Sequence, residues 1–497
     1  MQRNLSLYFL SFLEGASVMA AELLGAKMLA PFFGASLYVW SAVLAVTLGG
    51  LALGYFAGGI FSQRKNVERN LYCILLASAF FLMLMPMLAK EIMIHTTSFS
   101  LIASILVSTL TFLLPPVFFM GMVSPMIVQC IASNDTSGKI SGTVFAISTV
   151  GGIVSTFLLG FYLIPNFGLK NPAIVMGTLL GIIPFIKLIS KKNFSSLIFP
   201  LAAFLSFNSA KSPIENSEIK ILYSSEGLLG QIVVADYASR SEASRILFVN
   251  RSPQTIVTTK DGKKSFFDYV KIAGEISKKI SAGDKALLLG LGGGSIANEL
   301  LKDGYSVDAV DLDERMEFVA KRFFDLNEKA NIIIDDGRHY LNQRDTTQKY
   351  SLIVIDAFVG ESNPHHLFTQ ETFFEMKKLL TSDGIIMING NGFWNGKAGK
   401  GMRSIAATLK SSGFSVNVIP TRKEEEYRNL EFIAWQSSDP VLTMSGLTVS
   451  VDDAILLTDE KPQLEILNAE ANKRWREQCI NYFLSGYFSK KDNLIFN

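Results

Sequence analysis

Charge is missing from long stretches of the N-terminal part: residues 28–63, 70–89, 92–134, 140–169 and 193–210 hold no Asp, Glu, Lys or Arg. That absence excludes a wholly soluble chain, because several of these runs reach or exceed the roughly 17–25 apolar residues needed to cross a bilayer. Cysteine is scarce too. Cys73, Cys130 and Cys479 lie far apart, which leaves neither a disulfide framework nor metal-ligand spacing. No basic stripe interleaved with aromatics occurs, so nucleic acid is not an expected partner. A cleavable signal is not expected, since Glu14 interrupts the first apolar run, which continues through Glu22 to about Ala30. At 497 residues the chain is too long for one ordinary core and should hold two or three domains.

What fills the first part is apolar helix. Spans are expected near 5–30, 37–61, 70–89, 101–131, 141–164, 171–190 and 193–209, about seven crossings in a transmembrane helical domain over 1–210. Positive charge falls in alternate loops: Arg64, Lys65 and Arg69, then Lys139, then Lys187, Lys191 and Lys192. The positive-inside rule puts those loops and the N-terminus in the cytoplasm. Seven crossings place the rest of the chain outside. Should the last and short run, "FSSLIFPLAAFLSFN" with Pro200, fail to cross, the rest returns to the cytoplasm. Glu14, Glu22 and Lys27 share the first span, and charge at membrane depth is costly unless it faces a cavity or a partner. Glu22 is the membrane-site candidate, with snorkelling near the span's end as the alternative. Gly50, Gly54 and Gly58 recur at every fourth position, a flat strip on which another helix can pack.

Beyond residue 211 charges return every few positions. Alternating stretches, "GQIVVADY" and "SRILFVNRSPQTIV", predict a small antiparallel β region over 211–262. Over 263–440 strands such as "KALLLGL", "SVDAVDL", "NIIIDDG", "SLIVIDA" and "GIIMING" alternate with helices. This predicts a Rossmann-like α/β domain, a parallel sheet covered on both faces. Residues 441–497 form a helical extension. Ligands in such sheets lie at the carboxyl ends of the strands.

Four features fall at those ends. "GLGGGS" carries Gly290, Gly292 and Gly294, which let a ligand approach the backbone, although Ser295 stands where a dinucleotide fingerprint has its third glycine. Asp311 closes the next strand, where an acid can accept both ribose hydroxyls. Asp336 and Gly337 follow the third strand and suit an adenine edge. Asp356 ends the fourth. Each acid taken singly also reads as a helix cap or turn residue. Together they point to a nucleoside site.

The order "GLGGGS", "VDLDE", "DDGRHYL" and "VIDAFVGESNPHHLFTQETF" resembles the spermidine synthase family of aminopropyltransferases. With its membrane half, the chain is similar to fused membrane-spanning spermidine-synthase-like proteins. The resemblance implies S-adenosylmethionine or decarboxylated S-adenosylmethionine as co-substrate, with no metal. It implies that Asp311 holds the ribose, Asp336 the adenine, that Tyr269, Gln231 and Gln254 help to form the substrate pocket, and that Asp356 is the catalytic acid. Two family aspartates that contact cationic groups are replaced by Gly293 and Val359, and Glu361 is the candidate substitute. Gly293 leaves room for a carboxylate, which favours the intact donor. The implied function is a membrane-anchored aminopropyltransferase-like enzyme that alkylates an amine or membrane-linked acceptor and releases methylthioadenosine. A non-catalytic nucleoside sensor or a transport-related membrane protein is the alternative, with methyl transfer behind it. The bilayer is an expected partner, a homo-oligomer a further one, and a bacterial-type inner membrane the expected location.

Overall fold

The computed structural model of the chain describes residues 2–33, 37–96, 99–131, 137–208, 219–227, 229–238, 243–259, 263–279, 284–358, 363–436, 446–449, 452–461, 463–475 and 478. Two compact units emerge: Met1–Pro213 with Ser225–Gln231, and Ile214–Ser224 with Ile232–Asn497.

The first unit is helical. Its elements are α1 (Gln2–Phe33), α2 (Leu37–Ser62), α3 (Val67–Thr96), α4 (Leu101–Phe112), α5 (Leu114–Gly121), α6 (Val123–Ile131), α7 (Ser137–Leu158), α8 (Ile164–Phe167), α9 (Lys170–Ile189) and α10 (Ile198–Asn208). Six described stretches are long and apolar enough to cross a membrane: Asn4–Phe33, Tyr38–Ser62, Val67–Met93, Leu114–Ile131, Ser137–Phe167 and Lys170–Ile189. The run expected as a seventh span, 193–209, differs. It folds as a 3-10 turn, Phe194–Leu197, followed by the 11 residues of α10. At 1.5 Å per residue α10 is about 16 Å long, roughly half the hydrocarbon core. The expected single span over 101–131 is likewise broken into α4, α5 and α6. Pro115 and Pro116 open α5 and Pro125 sits in the first turn of α6, where a missing N–H and the ring's clash with a preceding carbonyl interrupt the helix.

Packing in this unit relies on small residues. A β-carbon at Gly54 would collide with the carbonyl oxygen of Phe118, and one at Gly58 would lie 2.6 Å from that of Met122. The glycine strip of α2 therefore lies directly against α5 and α6. The charged residue most deeply buried in α1 is not Glu22, which is half-buried, but Glu14, with 2% exposure. Its carboxyl accepts hydrogen bonds from Ser148 Oγ at 2.9 Å and Ser124 Oγ at 3.5 Å.

The second unit carries the sheets. β1 (Ile219–Gly227), β2 (Gly230–Tyr237), β3 (Ser244–Val249) and β4 (Ser252–Thr258) form a four-stranded sheet in that order. After α11 (Asp268–Ser277) come β5 (Lys285–Leu289), α12 (Ser295–Lys302), β6 (Ser306–Asp311), α13 (Arg315–Phe324), β7 (Asn331–Ile334), α14 (Gly337–Gln343), β8 (Tyr350–Ile355), α15 (Gln370–Leu379), β9 (Leu380–Asn391), α16 (Lys400–Ser411), β10 (Ser415–Pro420), β11 (Asn429–Trp435) and α17 (Leu464–Leu467). The larger sheet runs β10-β11-β9-β8-β5-β6-β7. It is Rossmann-like but mixed, whereas a parallel sheet is expected from the alternation. β5 to β9 are parallel, and β11 pairs antiparallel with both β9 and β10. Only residues 421–428 join β10 to β11, too few for the dozen or more that a parallel crossover needs.

β8 is buried at every position, and the apolar residues of β5 are buried on both faces. One face packs Leu288, Val354 and Met387 against Val270, Ile296 and Val319 of α11 to α13. The other packs Leu287, Ile353 and Ile388 against Tyr340, Phe373 and Ile405 of α14 to α16. Burial on both sides explains the uninterrupted apolar reading of these strands.

The glycine strip generates a paired prediction. Gly54→Leu should overpack the α2–α5 contact and destabilise the helical unit by about 1–3 kcal/mol. Gly59→Leu, five residues along the same helix with nothing within 4 Å of an added β-carbon, should be neutral. Thermal unfolding of the two variants in detergent compares them directly.

Candidate active site

β5 and β8 are neighbours, yet the chain leaves β5 for β6 on one side and reaches β8 on the other. Such a reversal of strand order opens a crevice at the carboxyl ends. The tips are pinned there by backbone hydrogen bonds: Gly290 N–H donates to Val310 O at 2.8 Å and Asp356 N–H to Leu289 O at 2.9 Å. Gly290 has φ +98°, and a β-carbon on it would collide with the Asp356 carbonyl. Only glycine lets the loop pass so close to the acid. Gly294, at φ +79°, is the residue before α12, and Gly292 lies between the two.

Asp311, at the tip of β6, reaches back to this loop. Its Oδ2 accepts from Leu291 N–H at 2.8 Å and its Oδ1 from Asp313 N–H at 2.9 Å. Burial pushes its carboxyl above the usual range, opposed by those backbone donors. Gly292 N–H is a third backbone donor to the same carboxyl, which leaves one of its roughly four lone-pair sites for a ligand. Asp336 caps α14: its Oδ1 accepts from Arg338 N–H at 2.9 Å and His339 N–H at 3.1 Å, and His366 Nε2 lies 3.1 Å from its Oδ2. Gly337, the first residue of that helix, packs against Leu367. The neighbouring His365 reaches Thr458 O at 3.0 Å.

Asp356 lines a cleft whose space, counted with its opening to solvent, is about 670 Å³. Gln254 of β4 and Tyr269 of α11 line the same cleft; Gln231 of β2 is not among its lining residues, and Glu361 and Val359 lie outside the described residues. Asn389 Nδ2 donates to Asp356 Oδ1 at 2.7 Å, and the Tyr269 hydroxyl donates to the same carboxyl. Burial raises the Asp356 carboxyl to about 6, against the lowering effect of those two donors. Burial and the Asp356 charge hold the Tyr269 hydroxyl well above its ordinary value, so it remains a donor.

Several cleft residues carry no sequence motif. Asn389 and Asn391 end β9, and Asn429 begins β11, its Nδ2 donating to Asn389 Oδ1 at 2.8 Å. The charge run "RKEEEYR" reads as solvated surface but contributes Glu425, Glu426 and Arg428 to the cleft wall. Arg428 is only 8% exposed, tied to Gly392 O at 2.8 Å and Glu425 at 2.9 Å. Trp475 closes another side, its Nε1 donating to Ser252 Oγ at 3.2 Å. A pair of asparagines ending a buried strand was the one available signal. A side chain at Gly293 would be crowded: a β-carbon there would lie 2.7 Å from Thr255 Cγ2 and 3.0 Å from Phe324 Cγ. Gly293 N–H itself donates to Thr255 Oγ1 at 2.9 Å.

Comparison with known proteins agrees with this geometry. Residues 271–443 match the family described as the spermine/spermidine synthase domain. A polyamine aminopropyltransferase from Vibrio vulnificus is 29% identical over 189 residues, 36% of this chain and 62% of the relative. One from Thermoplasma volcanium is 34% identical over 137 residues, 25% of this chain and 50% of its own. The chain thus spans less than two thirds of either relative. A spermidine synthase structure from Thermotoga maritima aligns with TM-score 0.36 at 19% identity, covering 44% of this chain and 74% of that one. The C-terminal part of this protein thus matches the spermine/spermidine synthase domain over residues 271–443.

Proposed function

We propose that the cleft binds a thioadenosine-type sulfonium donor and transfers its alkyl chain to an amine, releasing methylthioadenosine. The observation that carries this reading is Asp356: a carboxyl lining the cleft, oriented by Asn389 and Tyr269, with its pKa at about 6. An attacking ammonium must first lose a proton. Asp356, largely ionised at neutral pH, accepts that proton and passes it to solvent, and its carboxylate then faces the positive charge that develops on nitrogen. The nitrogen lone pair then forms the N–C bond at the methylene beside sulfur. The C–S bond breaks, its electron pair stays on sulfur, and neutral methylthioadenosine departs. Asp311 is placed for the ribose hydroxyls and the α14 terminus, with Asp336, for the adenine edge.

The decarboxylated donor suits this chain better than the intact one. Thr255 and Phe324 crowd the space beside Gly293 in which a donor carboxylate was expected to fit. On this reading the helical unit anchors the enzyme in a bilayer. Six crossings, starting from a cytoplasmic N-terminus, return the transferase domain to the cytoplasm, where such a donor is made.

Incubation of the purified protein with an amine and each donor should give methylthioadenosine from the decarboxylated form alone. Nucleoside binding without turnover would favour the sensor reading, and adenosylhomocysteine as product would favour methyl transfer. Asp356→Asn should lower turnover by about 10²–10⁴-fold while methylthioadenosine binding changes little. Protonation below the folded pKa removes the base, so kcat/KM should fall about tenfold per pH unit below about 6 and level off above it. A pH–rate profile on wild type reads that limb.

A further inference from the structure

The same sheet face holds a second carboxyl for which the transfer step has no use. Glu431 of β11 has 0% exposure, and neither of its carboxyl oxygens has a hydrogen-bond partner among the described residues. Register explains its position. Glu431 pairs with Asn389, and Asn389 follows the Ile388–Ile355 pair, so it stands beside Asp356. Asp356, Asn389 and Glu431 thus form one row on one face across three adjacent strands spaced about 4.8 Å apart. The amide between them gives one N–H to Asp356 and accepts at its oxygen from Asn429, and it makes no hydrogen bond to Glu431.

Among the described residues no cation pairs with Glu431. The groups facing it are Asp356 from β8, the Tyr269 hydroxyl from α11 and the paired Ile419 from β10. Arg428, earlier in the chain, is committed to Glu425 and backbone carbonyls. A bare carboxylate buried like this is strongly disfavoured, so the group keeps its proton while the cleft is empty. Burial first, and the charge of Asp356 second, push it well above the ordinary carboxyl range. Glutamic acid is a poor filler for an apolar layer, and a Leu here would avoid its desolvation cost. What this acid offers in return is latent negative charge beside the cleft.

We propose that Glu431 is a charge-regulated counter-ion, neutral in the empty cleft and ionised, with release of its proton to solvent, when a doubly charged amine binds beside Asp356. Only the Glu431 O–H bond changes in this step. The inference rests on the amine-transfer reading: two carboxylates match the two ammonium groups of a diamine. Glu431 is not among the residues that line the cleft, so it acts as buried charge behind that lining, where Gly293 and Val359 supply none.

Calorimetry on the full-length protein in detergent, loaded with methylthioadenosine, tests it. 1,4-Diaminobutane and 1-aminobutane are titrated at neutral pH in two buffers of different ionisation enthalpy, which reports protons released. Wild type should release close to one proton per diamine and close to none per monoamine. Glu431→Gln should release none and bind the diamine about tenfold more weakly, with the monoamine and methylthioadenosine unaffected. Diamine binding to wild type without proton release overturns the proposal, whatever the variant's folding. Equal release from a folded Glu431→Gln overturns it as well. Should methylthioadenosine fail to bind while the diamine still expels the Glu431 proton, the counter-ion stands and the alkyl-transfer reading falls.

Discussion

The tips of β5 and β8 meet with no space for a side chain between them, and the arrangement of the site follows from that contact. Gly290 turns at φ +98° against the carbonyl of Asp356, while the two strands are locked by hydrogen bonds one residue below. A β-carbon at that point would force the loop away from the acid. The loop is in turn held by Asp311 through Leu291 N–H, so three strand tips are fixed as one piece. Rigid strand ends, rather than loop residues, therefore set the distance between the proposed nucleoside contacts and the carboxyl that lines the cleft.

The electrostatics of that carboxyl come from opposed effects, of which burial is the larger. Burial penalises the charged form of Asp356, and hydrogen bonds from Asn389 and Tyr269 restore part of the loss. The outcome near 6 leaves a group that is ionised at neutral pH yet still basic enough to take a proton. Without its two donors it would titrate higher still. Without burial it would be a weak base. Tyr269 can serve as one of those donors because its own hydroxyl is held far from ionisation by the same burial.

Much of this was legible in the sequence, and the limits have physical causes. Charge-free runs marked the helical unit, and period and glycine placement marked β5 to β8, because strands buried on both faces must be apolar throughout. The strip at Gly50, Gly54 and Gly58 foretold a close helix contact. Pro115, Pro116 and Pro125 marked the break within 101–131, and the short run with Pro200 was the doubtful crossing, although hydropathy by itself does not register where a helix is interrupted. The antiparallel β10–β11 pair was missed because strand direction depends on the connection, not on the strand's composition. Arg428 and Glu425 read as solvated charges, and only their pairing around the Gly392 carbonyl shows why they can be buried. Asp336 shows the converse: the residue sits at a strand end as expected, yet its Oδ1 is spent capping α14. Glu431 is the hardest case. In "NLEFIAW" it occupies one alternate position of a strand whose remaining inward residues are apolar or cleft-lining, and nothing local separates it from an edge-strand acid.

That placement shifts where positive charge is received. In the pattern this chain resembles, two of the acids belong to the loops after β5 and β8, at the positions of Gly293 and Val359 here. Gly293 is backed by Thr255 and Phe324, so no acid could return there without moving the β4 segment or α13. The remaining carboxyls of the sheet face, Asp356 and Glu431, lie on either side of Asn389 instead, toward the β9–β11 side. A cation drawn to them would sit over strands whose spacing is fixed by the ladder, with Tyr269 above. Strand-borne charge of this kind adapts little by movement. It adapts by changing protonation, and a buried acid with no partner among the described residues is the group that does so most readily.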